Sequence, residues 1–195
     1  MLFGTVLCLG DSLTRGARAT VGYPERLAAL MSRRTGVEWA TLNRGVSGET
    51  TWQVLDRTPA AVGQLAGMAG AKWCVLLAGT NDSKPGGPGL DDWELLYRQV
   101  VHWPRRHKIP TALCTFPDVR PGVMPSYDAR SREFLRLASQ RVRDLVDEFA
   151  VDNPTRCVEL AELPEHMLCD GVHLTPDGYA WVADRVAAVL TEGSP

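Results

Sequence analysis

Short, unbroken apolar runs recur along the chain, and between them apolar residues return every three or four positions. The runs are Thr5–Leu9, Val37–Leu42, Lys72–Ala78, Thr111–Phe116 and Arg156–Leu160. In the third, Trp73-Cys74-Val75-Leu76-Leu77-Ala78 has no polar break, as expected of a strand covered on both faces. The helical stretches are Tyr23–Arg34, Thr50–Met68 with a break expected at Pro59, Asp91–Arg105, Tyr127–Ala150 and Pro176–Leu190. Within Tyr127–Ala150, Phe134, Ala138, Val142, Leu145 and Phe149 recur at helical spacing, while Arg132, Arg136, Arg143 and Asp147 take other faces. That is an amphipathic helix laid on a core. Pro176 suits a first turn that needs no N–H donor, with Thr175 before it as the N-cap.

Strands that alternate with helices form a parallel sheet, and right-handed crossovers place helices on both of its faces. The expected fold is α/β: a three-layer α/β/α sandwich around a five-stranded parallel sheet. No repeat, low-complexity tract or linker divides the chain, and 195 residues suit one domain over 1–195. Ser83–Leu90 and Pro117–Ser126 stay irregular. Both follow strand C-termini, the edge where open α/β sheets bind ligands.

Composition narrows the function classes. A chain 45% hydrophobic and 23% charged is not disordered. Lys+Arg number 21 against 23 Asp+Glu, and the arginines are dispersed, which argues against a nucleic-acid partner. No apolar run approaches the roughly 20 residues of a membrane span. Met1-Leu2-Phe3-Gly4-Thr5-Val6-Leu7 lacks the basic segment and cleavage site of a signal peptide, and reads as the lead-in to the first strand. The five cysteines are odd in number and form no Cys-x-x-Cys pair. Cys8, Cys74 and Cys114 lie in apolar runs, where a free thiol acts as a small buried hydrophobe. A cytoplasmic setting is the expectation; oligomeric state leaves no trace in the sequence.

Four segments carry candidate chemistry. Strand one runs into Gly10-Asp11-Ser12-Leu13-Thr14, which sets a serine where the backbone turns towards a helix and amide donors share its space. The same serine position also suits a plain N-cap. Asn43-Arg44-Gly45-Val46-Ser47-Gly48-Glu49-Thr50-Thr51 follows strand two, with glycines that permit positive φ or close approach to a ligand. Gly79-Thr80-Asn81-Asp82 ends the most hydrophobic strand and brings an amide to the same edge. In Asp170-Gly171-Val172-His173-Leu174-Thr175, an acid three residues before a histidine can fold back and fix its tautomer. His102, His107 and His166 fit ordinary surface positions.

Taken together, in this order and each at a strand end, the four segments resemble the SGNH (GDSL) hydrolase family over nearly the whole chain. The resemblance implies a flavodoxin-like SGNH hydrolase fold, with Ser12 as nucleophile, His173 as general base and Asp170 as its orienting carboxylate. It places Gly48, Asn81 and Ser12's own N–H in an oxyanion hole, gives Asp11 a structural role, and calls for neither metal nor organic cofactor. The expected function is hydrolysis of small carboxylic esters, most simply with acetyl-type acyl groups. Trp52, Met124 and Tyr127 are candidate walls for the substrate. The same site fits longer-chain thioester or lysophospholipid substrates, or acyl transfer. The reading from a different class, a non-catalytic flavodoxin-like binding module, leaves Asn81 and the Asp170–His173 pair unexplained. A metal site at His166, Asp170 and His173 would need a helix that Gly171 disfavours.

Overall fold

A computed structural model describes residues 3–151 and 153–192, so Met1 and Leu2 of the expected lead-in lie outside the described residues. In chain order the elements are β1 (Phe3–Gly10), α1 (Ser12–Arg15), α2 (Tyr23–Thr35), β2 (Glu38–Gly45), α3 (Thr51–Gly67), β3 (Ala71–Leu77), α4 (Leu90–Arg106), β4 (Thr111–Cys114), α5 (Ala129–Phe149), β5 (Thr155–Val158) and α6 (Pro176–Thr191). Short 3₁₀ turns occupy Asn81–Ser83 and Glu165–Met167. The five strands form one parallel sheet in the order β2-β1-β3-β4-β5. Packing of α2 on α6, and of α3 on α4 and α4 on α5, gives the two helical layers. This is the expected three-layer fold.

The sheet centre is dry. Val6 to Leu9 of β1 and Val75 to Leu77 of β3 are at most 1% exposed, which accounts for their unbroken apolar runs. The edge strand β2 is largely half-exposed. Cys8, Cys74 and Cys114 are buried as expected, and burial pushes the Cys74 thiol up to about 12, away from thiolate chemistry.

Among the differences from expectation, four have a plain physical reason. α3 runs unbroken through Pro59. Proline costs the helix about 3 kcal/mol, but the buried Val54, Ala61, Val62 and Leu65 hold the helix against the core and outweigh it. β4 stops at Cys114, short of Phe116, because the Thr115 hydroxyl takes the backbone amides of Leu160 (2.7 Å) and Ala161 (3.1 Å). The Phe116 amide turns to Ser139 Oγ at 3.0 Å. The same exchange ends β5 at Val158 instead of Leu160. α5 begins at Ala129, not Tyr127, since Asp128 caps it by accepting from Ser131 N at 2.9 Å. Tyr127 is thereby freed from the helix.

Candidate active site

The sheet order sets β2, β1 and β3 side by side, so the turns that leave their C-terminal ends share one edge. At the end of β1, Asp11 Oδ1 accepts the Leu13 amide at 2.9 Å and caps the single turn of α1. Ser12 is the first residue of that turn and is 6% exposed. Its Oγ lies 3.0 Å from His173 Nε2, across 161 residues of sequence.

The histidine is held locally. His173 Nδ1 donates to Asp170 Oδ2 at 2.8 Å. Asp170 Oδ1 accepts the backbone amides of His173 (2.8 Å) and Val172 (3.2 Å). Partial burial works to raise the Asp170 carboxyl, but these two amides and the imidazole outweigh it and hold it below its ordinary value. Around this core, Cys169 N donates to His173 O at 2.8 Å, Leu168 and Leu174 form an antiparallel bridge, and Thr175 N reaches Met167 O at 2.8 Å. Thr175 then caps α6 by accepting from Gly178 N at 3.1 Å. A locally hydrogen-bonded turn therefore presents the imidazole to Ser12. Outside it, Arg18 Nε approaches Asp170 Oδ2 at 3.4 Å.

The turn after β2 carries Gly48 at φ +86°, a conformation that favours glycine. Val46 N donates to Gly10 O at 3.1 Å, and Arg57 Nη2 reaches the same carbonyl at 2.9 Å. Arg57 Nε also donates to Glu49 Oε2 at 2.7 Å, so the residue after Gly48 is tied to the end of β1. Past Thr50, the Thr51 amide and hydroxyl both donate to Asp82 Oδ2, at 2.8 and 3.1 Å. The turn after β3 adds Asn81, whose Nδ2 donates to Glu49 O at 2.9 Å. Gly79 precedes it at φ +143°, pressed so close to Phe116 and Trp93 that a Cβ would fall within 3.0 Å of both.

The structure thus brings Ser12, Asp170 and His173 into one hydrogen-bonded chain, and joins Asn81 to the Gly48-bearing turn. The three wall candidates separate. Trp52 is 62% exposed on the first turn of α3, whereas Met124 is half-buried against the core. Tyr127 is only 4% exposed, and its hydroxyl donates to Asn81 Oδ1 at 3.1 Å. His102, His107 and His166 are exposed. Among the described residues no group of three His, Cys, Asp or Glu gathers in a way that could hold a metal. Sequence reasoning missed the Glu49–Arg57 tie, which nothing distinguishes from a surface pair. It also missed Asp82 as an anchor for α3, although Asp82 stood inside a motif already singled out.

Asp11 is fully buried, and its Oδ2 has no hydrogen-bond partner among the described residues. Burial pushes its carboxyl up to about 7 despite the Leu13 amide. The same cause raises Asp82, against the pull of Thr51. On the outer side of loop 117–126 a cavity of about 500 Å³ opens, lined among others by Val119, Arg120, Val123, Leu163 and Leu168. Arg120 and Val123 also lie against Gly171, so this cavity flanks the Asp170–His173 turn.

A sequence profile described as GDSL-like Lipase/Acylhydrolase matches residues 8–181. The chain belongs to this family. As a GDSL-like acylhydrolase it is a carboxylic ester hydrolase. It is 28% identical to Thioesterase 1/protease 1/lysophospholipase L1 of Escherichia coli (strain K12) over 189 residues, covering 95% of this chain and 83% of that protein. Among solved structures, Est24, a carbohydrate acetylesterase from Sinorhizobium meliloti, superposes with a TM-score of 0.75 at 19% identity, covering 94% of this chain and 96% of that one. The M. smegmatis aryl esterase matches at the same TM-score of 0.75 with 16% identity, covering 94% and 96%. At such identities these structures speak to the fold. Among the described residues of this GDSL-like protein, no helix is long and apolar enough to cross a membrane.

Proposed function

We propose that the protein cleaves short-chain carboxylic esters through a Ser12–His173–Asp170 triad and an acyl-enzyme. The observation that carries this reading is the continuous chain from Ser12 Oγ through His173 Nε2 and Nδ1 to Asp170 Oδ2, with contacts of 3.0 and 2.8 Å. His173 takes the Ser12 proton as Oγ attacks the ester carbonyl, and Asp170 steadies the imidazolium that results. The charge that grows on the carbonyl oxygen is met by the Ser12 and Gly48 N–H groups and the Asn81 amide, each worth about 10²–10³ in turnover. As the tetrahedral intermediate collapses, the imidazolium returns its proton to the departing alcohol. Water then attacks the acyl-enzyme, giving its proton to His173, and the carboxylic acid leaves as Ser12 recovers its own.

Acetyl-type substrates are the preferred reading, supported by structural neighbours that include a carbohydrate acetylesterase. A second reading, a longer acyl chain, has its own support in the Escherichia coli thioesterase/lysophospholipase relative and in the exposed apolar Val46, Trp52 and Val123. A series of p-nitrophenyl esters from acetate to palmitate, run with the wild type and Ser12→Ala side by side, separates the two. Activity greatest on acetate or butyrate and absent in Ser12→Ala supports the short-chain reading. Greatest activity on long chains, also lost in the variant, moves the substrate and keeps the mechanism. Equal activity in both proteins overturns the assignment of Ser12.

A further inference from the structure

An amide side chain stabilises an oxyanion only if its NH₂, and not its oxygen, faces the charge. Two contacts decide how Asn81 is turned. Its Nδ2 donates one proton to Glu49 O at 2.9 Å, and its Oδ1 accepts the Tyr127 hydroxyl at 3.1 Å. Reversing the amide would set the Tyr127 O–H against an NH₂ and the Glu49 carbonyl against an oxygen. In a site where Asn81 is 6% and Tyr127 4% exposed, water is poorly placed to repair either mismatch. Tyr127 is itself fixed. Its N–H donates to Met124 O at 3.0 Å, its carbonyl accepts from Gly122 N at 3.3 Å, and Lys84 Nζ sits 5.3 Å from its ring centre.

We infer that Tyr127 is a positioning residue for the oxyanion-stabilising amide: its hydroxyl locks Asn81 so that the second Nδ2 proton stays free for the ester carbonyl oxygen. This rests on the hydrolase mechanism proposed above. Burial raises the Tyr127 hydroxyl well above its ordinary value, so it remains a donor at every pH where a histidine base works. The role also gives loop 117–126 a second purpose. Tyr127 follows directly on that loop, and Arg120 N, within it, donates to Gly171 O at 2.8 Å. One segment thus braces both the amide and the turn that carries the acid–base pair.

The test is a double-mutant cycle on p-nitrophenyl acetate with Tyr127→Phe, Asn81→Ala and the pair, alongside Ser12→Ala. Phenylalanine keeps the buried ring and removes only the hydroxyl. The expected result is a fall in kcat of about tenfold for Tyr127→Phe with KM little changed, the worth of one buried hydrogen bond expressed in the transition state. The shape of the pH profile stays that of the wild type, because the acid–base pair is untouched. In the Asn81→Ala background the same change costs nothing, since no amide is left to hold. Undiminished kcat, a change confined to KM, or an equal loss in both backgrounds overturns the assignment. General loosening of the fold would fall in the last class, because it lowers both backgrounds alike. Full activity in Ser12→Ala would instead overturn the mechanism on which the role depends. An inactive Ser12→Ala beside a fully active Tyr127→Phe removes the positioning role alone.

Discussion

Replacing Asp170 by asparagine changes one oxygen to an NH₂, and the structure dictates where that NH₂ goes. Asp170 Oδ1 accepts two backbone amides, from His173 at 2.8 Å and Val172 at 3.2 Å, so the asparagine oxygen must take that position. Its NH₂ then faces His173 Nδ1, where Oδ2 had accepted a proton at 2.8 Å. A donor there stabilises the tautomer protonated on Nε2, which cannot receive the Ser12 proton. Two losses add. The charge-assisted bond that steadied the imidazolium is worth about 2–3 kcal/mol. Reaching the working tautomer sets N–H against N–H in a half-buried turn, at a further cost of about 2–3 kcal/mol. A total of about 4–6 kcal/mol corresponds to roughly 10³–10⁴ in kcat. The assay is initial-rate hydrolysis of p-nitrophenyl acetate with active-site titration, paired with thermal melting. The melting temperature should hold, because both amide bonds to Oδ1 survive. An Asp170→Asn enzyme that keeps more than about a tenth of wild-type kcat would refute the tautomer argument.

Two further expectations follow from the same region. Asn81→Ala removes the proposed donor to the oxyanion and should lower kcat about 10²–10³-fold with little change in KM; a loss below about threefold would take Asn81 out of the oxyanion hole. Asp11 carries a folded-state pKa of about 7 against 3.8 for the free group, so the folded protein binds the proton more tightly than the unfolded chain. The stability this contributes is complete below the unfolded value and drains away as pH rises through about 7, on the order of a few kcal/mol. Asp11→Asn, which can keep the cap on Leu13, should flatten that slope and melt above the wild type in mildly alkaline buffer. Parallel melting curves for the two proteins across this range would count against a buried, proton-holding Asp11.

Much of this architecture is legible in the residues, and the exceptions have a common cause. The unbroken run in β3 announces a two-sided strand, and Ser12, Gly48 and Asn81 follow predictable strand ends, so their convergence follows from topology; the Asp170–His173 turn, well past the end of β5, does not. Side chains that reach far along the sequence are another matter. Thr115 ends β4 by bonding Leu160 and Ala161, 45 and 46 residues away, and no local pattern foretells it. Pro59 breaks a helix by local rules, yet the burial of its neighbours overrides them. Tyr127 reads as an apolar wall because sequence shows a ring at a loop end. Only the fold reveals that its hydroxyl meets an amide 46 residues earlier.

The Asp170–His173 turn largely closes on itself: the bonds that orient the imidazole fall between Met167 and Thr175, and from outside it meets Ser12, Arg18 on Asp170 and the Arg120 amide on Gly171 O. Chemistry and fold can therefore fail separately. Were this turn to swing outward, the proposed triad would be broken while the sheet, which takes no strand from it, stayed assembled. Heat inactivation measured by turnover and unfolding measured by circular dichroism are thus two different clocks, and the first is set by how firmly one turn ahead of α6 is held.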